Sequence, residues 1–105
     1  DGRYASYILG YVNQNYKHND TQAKFFYQKC INYSLNNNTK ESGYYVASNM
    51  ALGNIALKEN DNKAAVEYFA EVLKNSEKNS NSYKQAKKAL EDLTKRLKAQ
   101  KKGKN

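Results

Sequence analysis

The chain predicts an all-helical fold of stacked helix pairs, and three observations predict it. First, the sequence repeats itself. Ala23, Phe26, Tyr27, Cys30 and Ile31 are echoed by Ala65, Tyr68, Phe69, Val72 and Leu73. Each set follows a polar turn (Lys17 to Asp20, then Glu59 to Asn62), and each turn follows a segment carrying Leu-Gly, at Leu9-Gly10 and Leu52-Gly53. Second, the chain has no Pro and only 5 Gly among its 105 residues, so little interrupts a helix. Third, apolar residues recur at three- and four-residue spacing, the period of a helix face. A helix pair repeated at a fixed interval marks a hairpin repeat protein, in which each pair buries its apolar side on the next.

Each element has its own reason. Helix one is expected from Arg3 to Lys17, with Ala5, Ile8, Leu9, Val12 and Tyr16 forming the apolar face that meets helix two. Asn19 or Asp20 caps helix two, because a short acceptor side chain satisfies a free N–H of the first turn. Helix two runs from Thr21 to Leu35 and turns Ala23, Phe26, Tyr27, Cys30 and Ile31 inward, until Asn36, Asn37 and Asn38 end it. Thr39 opens a loose capping box, and helix three spans Lys40 to Glu59 with Tyr44, Ser48, Ala51, Leu52 and Ile55 inward. Gly53 costs that helix about 1 kcal/mol in propensity, which close approach of a partner helix would justify. Asp61 caps helix four, Asn62 to Ser76, with Ala65, Tyr68, Phe69, Val72 and Leu73 inward. After a turn at Asn79 to Ser82, helix five runs to Lys101 on a narrow seam of Tyr83, Ala86, Leu90, Leu93 and Leu97. The expected organisation is one domain over 1–102: hairpin one at 3–36, hairpin two at 39–77, a closing helix at 82–101, and a frayed tail at 103–105.

Composition narrows the functional classes. Hydrophobic residues make up 39% and mean hydropathy is -1.04, low for a compact globule and ordinary for an elongated stack. No apolar run approaches the ~20 residues of a membrane span. The start enters helical pattern almost at once, which suggests a processed or truncated beginning and leaves the compartment open. The single Cys30 falls on the inward face of helix two, where a buried thiol is expected. The net charge of +8 is uneven: residues 1–60 hold six basic and four acidic side chains, and residues 61–105 hold twelve and six.

With those residues in view, a resemblance can be stated. The stretch from Leu52 to Leu73 resembles a tetratricopeptide repeat, with Leu52, Gly53, Ala65 and Phe69 on that family's signature positions. Leu9-Gly10, Ala23 and Tyr27 form a looser first copy with one more residue in its turn. The resemblance covers most of 3–75, and helix five resembles the solvating helix that closes such arrays. Three departures stand out. Asn49 occupies the place of the usual Trp, Glu77 replaces the terminal Pro, and Ala23 and Ala65 are 42 residues apart against a usual ~34. A period near that length also admits HEAT-like repeats, but the Leu-Gly, Ala and Phe spacing favours the tetratricopeptide type.

Candidate binding residues follow from helix one. At about 100° per residue, Tyr4, Tyr7 and Tyr11 fall within about 60° of one another and about 110° from the Ala5/Ile8/Leu9/Val12 face. They are therefore not expected to pack helix two. The resemblance implies that the first helix of each hairpin lines a concave surface, which places these rings there with Ala47, Met50, Asn54 and Leu57 beside them. Tyrosine gives large contact area at low rotamer cost and suits a peptide groove; burial of the rings by helix three, or by a missing preceding helix, is the other reading.

Lys84, Lys87 and Lys88 head a basic segment that could attract acidic partners. Along helix five Lys84, Lys88, Lys95, Lys98 and Lys102 form a cationic stripe interrupted by Glu91, either a solvated capping face or a surface for nucleic acid or anionic lipid. Arg96 is the only Arg there, and no aromatic interleaving supports base reading. The carboxylate clamp of co-chaperones of the family is absent, because Tyr7, Tyr11 and Ala51 stand at its places. The lone His18 sits in a turn without a catalytic partner, and the sequence holds no metal-ligand spacing or phosphate loop. The expectation is a non-catalytic module, without metal or cofactor, that binds a protein or peptide. The alternatives are a self-associating structural module, or the C-terminal part of a larger repeat protein; nucleic-acid binding through helix five ranks below them.

Overall fold

A computed structural model describes residues 2–38 and 43–102, the side chain of Lys102 excepted. Five helices follow in order: α1 (Gly2–Asn15), α2 (Asp20–Asn36), α3 (Gly43–Lys58), α4 (Asn62–Asn75) and α5 (Asn81–Lys102). No strand occurs among the described residues. The expected cap at Thr39, the expected start of helix three at Lys40 and the tail at 103–105 lie outside them.

The helices begin where short acceptors precede them. Asn19 accepts from the Gln22 amide at 3.1 Å, Asp61 from the Ala64 amide at 3.2 Å, and the Ser80 hydroxyl from the Tyr83 amide at 3.2 Å. Just before the first two caps, His18 and Asn60 take left-handed φ values of 54° and 61°. These reversals make the two hairpins alike, and they leave His18 exposed as a turn residue.

α1 packs on α2 and α3 on α4, and α3 also lies against α2. α1 touches α3 and α3 touches α5, whereas the backbones of α2 and α4 stay apart. The odd-numbered helices therefore line the shorter, inner side of the stack, and the even-numbered ones splay on the outer side. One core cluster joins Ala23, Tyr27 and Ile31 of α2 to Tyr45, Leu52 and Ile55 of α3. A second joins Val46 and Ala56 of α3, Ala65, Phe69 and Val72 of α4, and Ala86 and Leu93 of α5. Two ion pairs, Lys58 to Asp20 at 2.9 Å and Lys24 to Glu59 at 3.0 Å, link α2 to the end of α3 and its turn.

The repeat is most exact where each hairpin closes. A Cβ on Gly10 would meet the Tyr27 ring at 2.7 Å, and a Cβ on Gly53 would meet the Phe69 ring at 2.7 Å. Both rings are sealed, at 1% and 0% exposure. Ala23 and Ala65, also fully buried, stand four residues before them. Each hairpin is thus drawn tight by a ring seated over a glycine.

This contact corrects the expected orientation of α1. Ala5, Ile8, Leu9 and Val12 do not face α2; Ile8 and Leu9 are 36% and 45% exposed, and Tyr16 lies beyond the helix at 73%. The face turned to α2 carries Ser6, Gly10 and Asn13. The Tyr27 ring leaves room only for small residues opposite it, and size overrides apolarity. The buried Asn13 amide stays satisfied by donating to the Leu9 carbonyl at 2.8 Å, as buried polar groups must. α3 differs too. It is covered from both sides, so Tyr45, Val46, Asn49, Gly53 and Ala56 join Ser48, Leu52 and Ile55 in burial, while Tyr44 is only half-buried. In α5, Ala86 and Leu93 are buried, but Leu97 is 37% exposed.

Candidate functional site

The inner side carries a chain of tyrosine rings. Tyr4 meets Tyr44 edge-on at 5.6 Å between centroids, Tyr7 meets Tyr44 at 5.9 Å and Tyr27 at 5.9 Å, and Tyr11 meets Tyr7 at 6.4 Å and Tyr16 at 6.2 Å. Such spacing and tilt suit ring quadrupoles. Tyr27 anchors the chain from below by donating its hydroxyl to Gln14 Oε1 at 2.7 Å.

The three tyrosines of α1 play different parts. Tyr4 is 52% and Tyr11 42% exposed, so much of each ring faces solvent. Tyr7 is half-buried and packs against the first core cluster, contrary to the expectation that none of the three packs helix two. Its ring sits between Tyr27 of α2 and Tyr44 of α3. Tyr44 is the member that sequence reasoning missed. The helical period assigned it to the buried face of helix three, and only the α1–α3 contact turns it into the link between helices.

Farther along the inner side, Met50 and Leu57 pack partly buried against the second cluster, and Asn54 is exposed. Leu57 borders a cleft of about 390 Å³ between α3 and α5, whose other walls are Gln85, Lys88, Ala89, Asp92, Leu93 and Arg96. Lys88 lines this cleft and pairs with Asp92 at 3.6 Å, Lys87 lines another cleft beside Leu73 of α4, and Lys84 is exposed. Lys84, three residues before Lys87 and four before Lys88 on α5, is a neighbour of both on the helix surface. Arg96 reaches Asn62 Oδ1 at 2.9 Å.

Burial holds several phenols protonated. Tyr7 is raised by desolvation first and then by neighbouring Tyr11 and Cys30, Tyr27 by desolvation and then Tyr7 and Tyr11, and Tyr68 by desolvation and then Asp61 and Glu67. Tyr45 is pushed up to about 12 by burial and by Glu71, to which its hydroxyl donates. The Cys30 thiol is raised by burial as well and points at the Tyr44 carbonyl, 3.7 Å away.

The sign of the linkage is fixed. Each of these phenols keeps its proton in the fold above about pH 10, where the unfolded chain loses it. Their stabilisation is full below about pH 10 and falls as the pH rises toward the folded-state values. Melting temperature should accordingly hold between about pH 8 and 9 and drop steeply above 10, with tyrosinate absorbance rising together with the loss of helical circular dichroism. A melting temperature flat to pH 11 would contradict the burial of these hydroxyls.

A stack of helical hairpins with an open inner face and a closing helix defines the class, a helical repeat protein. Residues 46–79 match the tetratricopeptide repeat family, so that this stretch is similar to one repeat of that family. The matched segment covers most of hairpin two, and hairpin one repeats its glycine-and-ring closure. No curated protein and no solved structure matches the chain significantly. Tetratricopeptide repeats are in general non-catalytic protein–protein interaction modules. Among the described residues no helix is long and apolar enough to cross a membrane, and no group of three or more His, Cys, Asp or Glu could hold a metal ion.

Proposed function

We propose that this chain binds a peptide or an extended segment of a protein partner along its inner side, with residues 1–102 acting as one module. The observation that carries the reading is the tyrosine chain: Tyr4 and Tyr11 remain open to solvent while Tyr7 and Tyr44 fix them from beneath. Rings held in place lose little freedom on binding, so the contact area they offer converts efficiently into affinity. Met50, Asn54 and Leu57 extend this surface along α3, and Lys88 stands at its far edge beside Asp92. An aromatic end and a mixed-charge end suit a partner segment that is apolar at one end and polar at the other. The match of residues 46–79 to a family of protein-binding repeats favours a protein partner and ranks nucleic acid below it.

The test starts from peptides selected on the whole chain from a random library. Tyr4→Ala with Tyr11→Ala should weaken their binding by about tenfold or more per ring, as for other aromatic anchors, with the melting temperature little changed. Tyr7→Ala is less informative, because its ring also supports the core. Selected peptides that bind the double variant unchanged, or whose binding collapses with salt and depends on the α5 lysines, would overturn the reading.

A further inference from the structure

The flank of α5 turned toward α4 carries a surface separate from the inner side. A groove of about 480 Å³ runs along it, floored by Leu73 of α4 and Leu90 of α5 and rimmed by Lys87, Lys95 and Lys98, with Glu91 as the one carboxylate in its lining. A second hollow of about 500 Å³ shares Thr94 and Lys98 with it and extends the groove past Leu97 to Lys101. The helical period sorts the side chains of α5 into two rows. At about 100° per residue, Lys87, Lys95 and Lys98 fall within about 80° of one another, and Leu90 and Leu97 fall within about 20° of each other on the side of the core. Leu73 and Leu90 are half-buried and Leu97 is 37% exposed, so the leucine row leaves apolar surface in water. The lysine row keeps its charge. Among the described residues, the carboxylates of α4 and α5 that pair with a cation are Glu71, with Lys74, and Asp92, with Lys88; none pairs with Lys87, Lys95 or Lys98. From Leu93 to Lys102 the sequence holds five basic residues and no acidic one.

We propose that this groove docks an acidic amphipathic helix of a protein partner, with its apolar side chains on the leucine row and its carboxylates against the lysine row. Charge complementarity selects the occupant. A second copy of the chain would set +8 against +8, and such net charges repel. Leu90 and Leu97 are seven residues, or about 10 Å, apart along α5, which matches apolar side chains two turns apart on a partner helix. Other polyanions fit the groove less well. Nucleic acid would leave the leucine row bare, because the lining offers neither an aromatic ring nor an arginine for a base to stack on. A flat bilayer does not enter a hollow between two helices.

The test follows the fluorescence anisotropy of labelled probes titrated with the whole chain at about 0.15 M salt. The main probe is a peptide of about 20 residues, long enough to be helical, built from Glu, Ala and Leu with its leucines three and four residues apart. It should bind saturably. Lys95→Glu with Lys98→Glu, both on exposed surface, should weaken it at least about tenfold and move the melting temperature by under about 4 °C. Replacing the probe's leucines by alanines at constant charge should also cost at least about tenfold. Leu97→Ser serves as the second variant and should weaken the leucine probe without affecting the alanine probe. Tyr4→Ala with Tyr11→Ala should leave the probe's affinity unchanged, which keeps this test apart from that of the inner side. Absence of saturable binding, equal affinity in the charge-reversed variant, or an alanine probe bound as tightly as the leucine probe would overturn the proposal. So would tighter binding of a single-stranded oligodeoxythymidine, or of phosphatidylserine vesicles, through Lys95 and Lys98, because the groove would then answer to phosphate.

Discussion

Phe69→Ala is expected to remove about 3–5 kcal/mol of stability, the range for deleting a fully buried aromatic ring. Phe69 has no exposure, and it sits in the cluster that joins α3, α4 and α5. Its loss opens a cavity that cannot collapse easily, because Gly53 on the opposite wall has no side chain to lean in. A domain of this size is typically stable by about 5–15 kcal/mol, so the variant would sit close to unfolded. Urea denaturation followed by circular dichroism reads the effect directly. A loss below about 1 kcal/mol would mean that hairpin two does not close around this ring.

Gly53→Ala should destabilise as well, against the usual sign. In an exposed helix the change gains about 1 kcal/mol. Here the added carbon falls 2.7 Å from Phe69 Cε1 and 2.8 Å from Cζ, and the sealed ring cannot swing away. Overpacking of this kind costs about 1–3 kcal/mol, so the net change is a loss of up to about 2 kcal/mol once the propensity gain of about 1 kcal/mol is set against it. The prediction sharpens in a double-mutant cycle. With Phe69→Leu the alanine has room, and Gly53→Ala should become neutral or stabilising, giving a coupling of at least about 1 kcal/mol. Additive effects would separate the two residues and sink the glycine-and-ring closure.

Much of this architecture was legible in the residues. Helix two, helix four and their caps at Asn19 and Asp61 follow from polar turns and local spacing, because those signals act within a few residues of the groups they satisfy. Gly53 was legible as a close contact for the same reason. The orientation of α1 was not. Its apolar residues form a good helical stripe, and periodicity alone cannot tell whether such a stripe meets the next helix or faces outward. What decides it is the Tyr27 ring, which needs Ser6, Gly10 and Asn13 opposite, and that demand lies across the hairpin. The candidate site divides in the same way. Tyr4 and Tyr11 were readable from their shared angle, while the packing of Tyr7 and the part played by Tyr44 depend on how α1 leans on α3.

The gap between α2 and α4 has a mechanical meaning. It opens a recess of about 610 Å³, walled by Phe25, Gln28, Leu52 and Tyr68 among others, while the odd-numbered helices stay in contact along the other side. A body joined along one margin and parted along the other bends like a fan, with its pivot at α3. A guest that draws α1 and α5 together would widen that recess, and a wedge driven into the recess would close the fan from behind. The two faces of the stack would then share one stroke of the same spring, so that filling either eases the filling of the other.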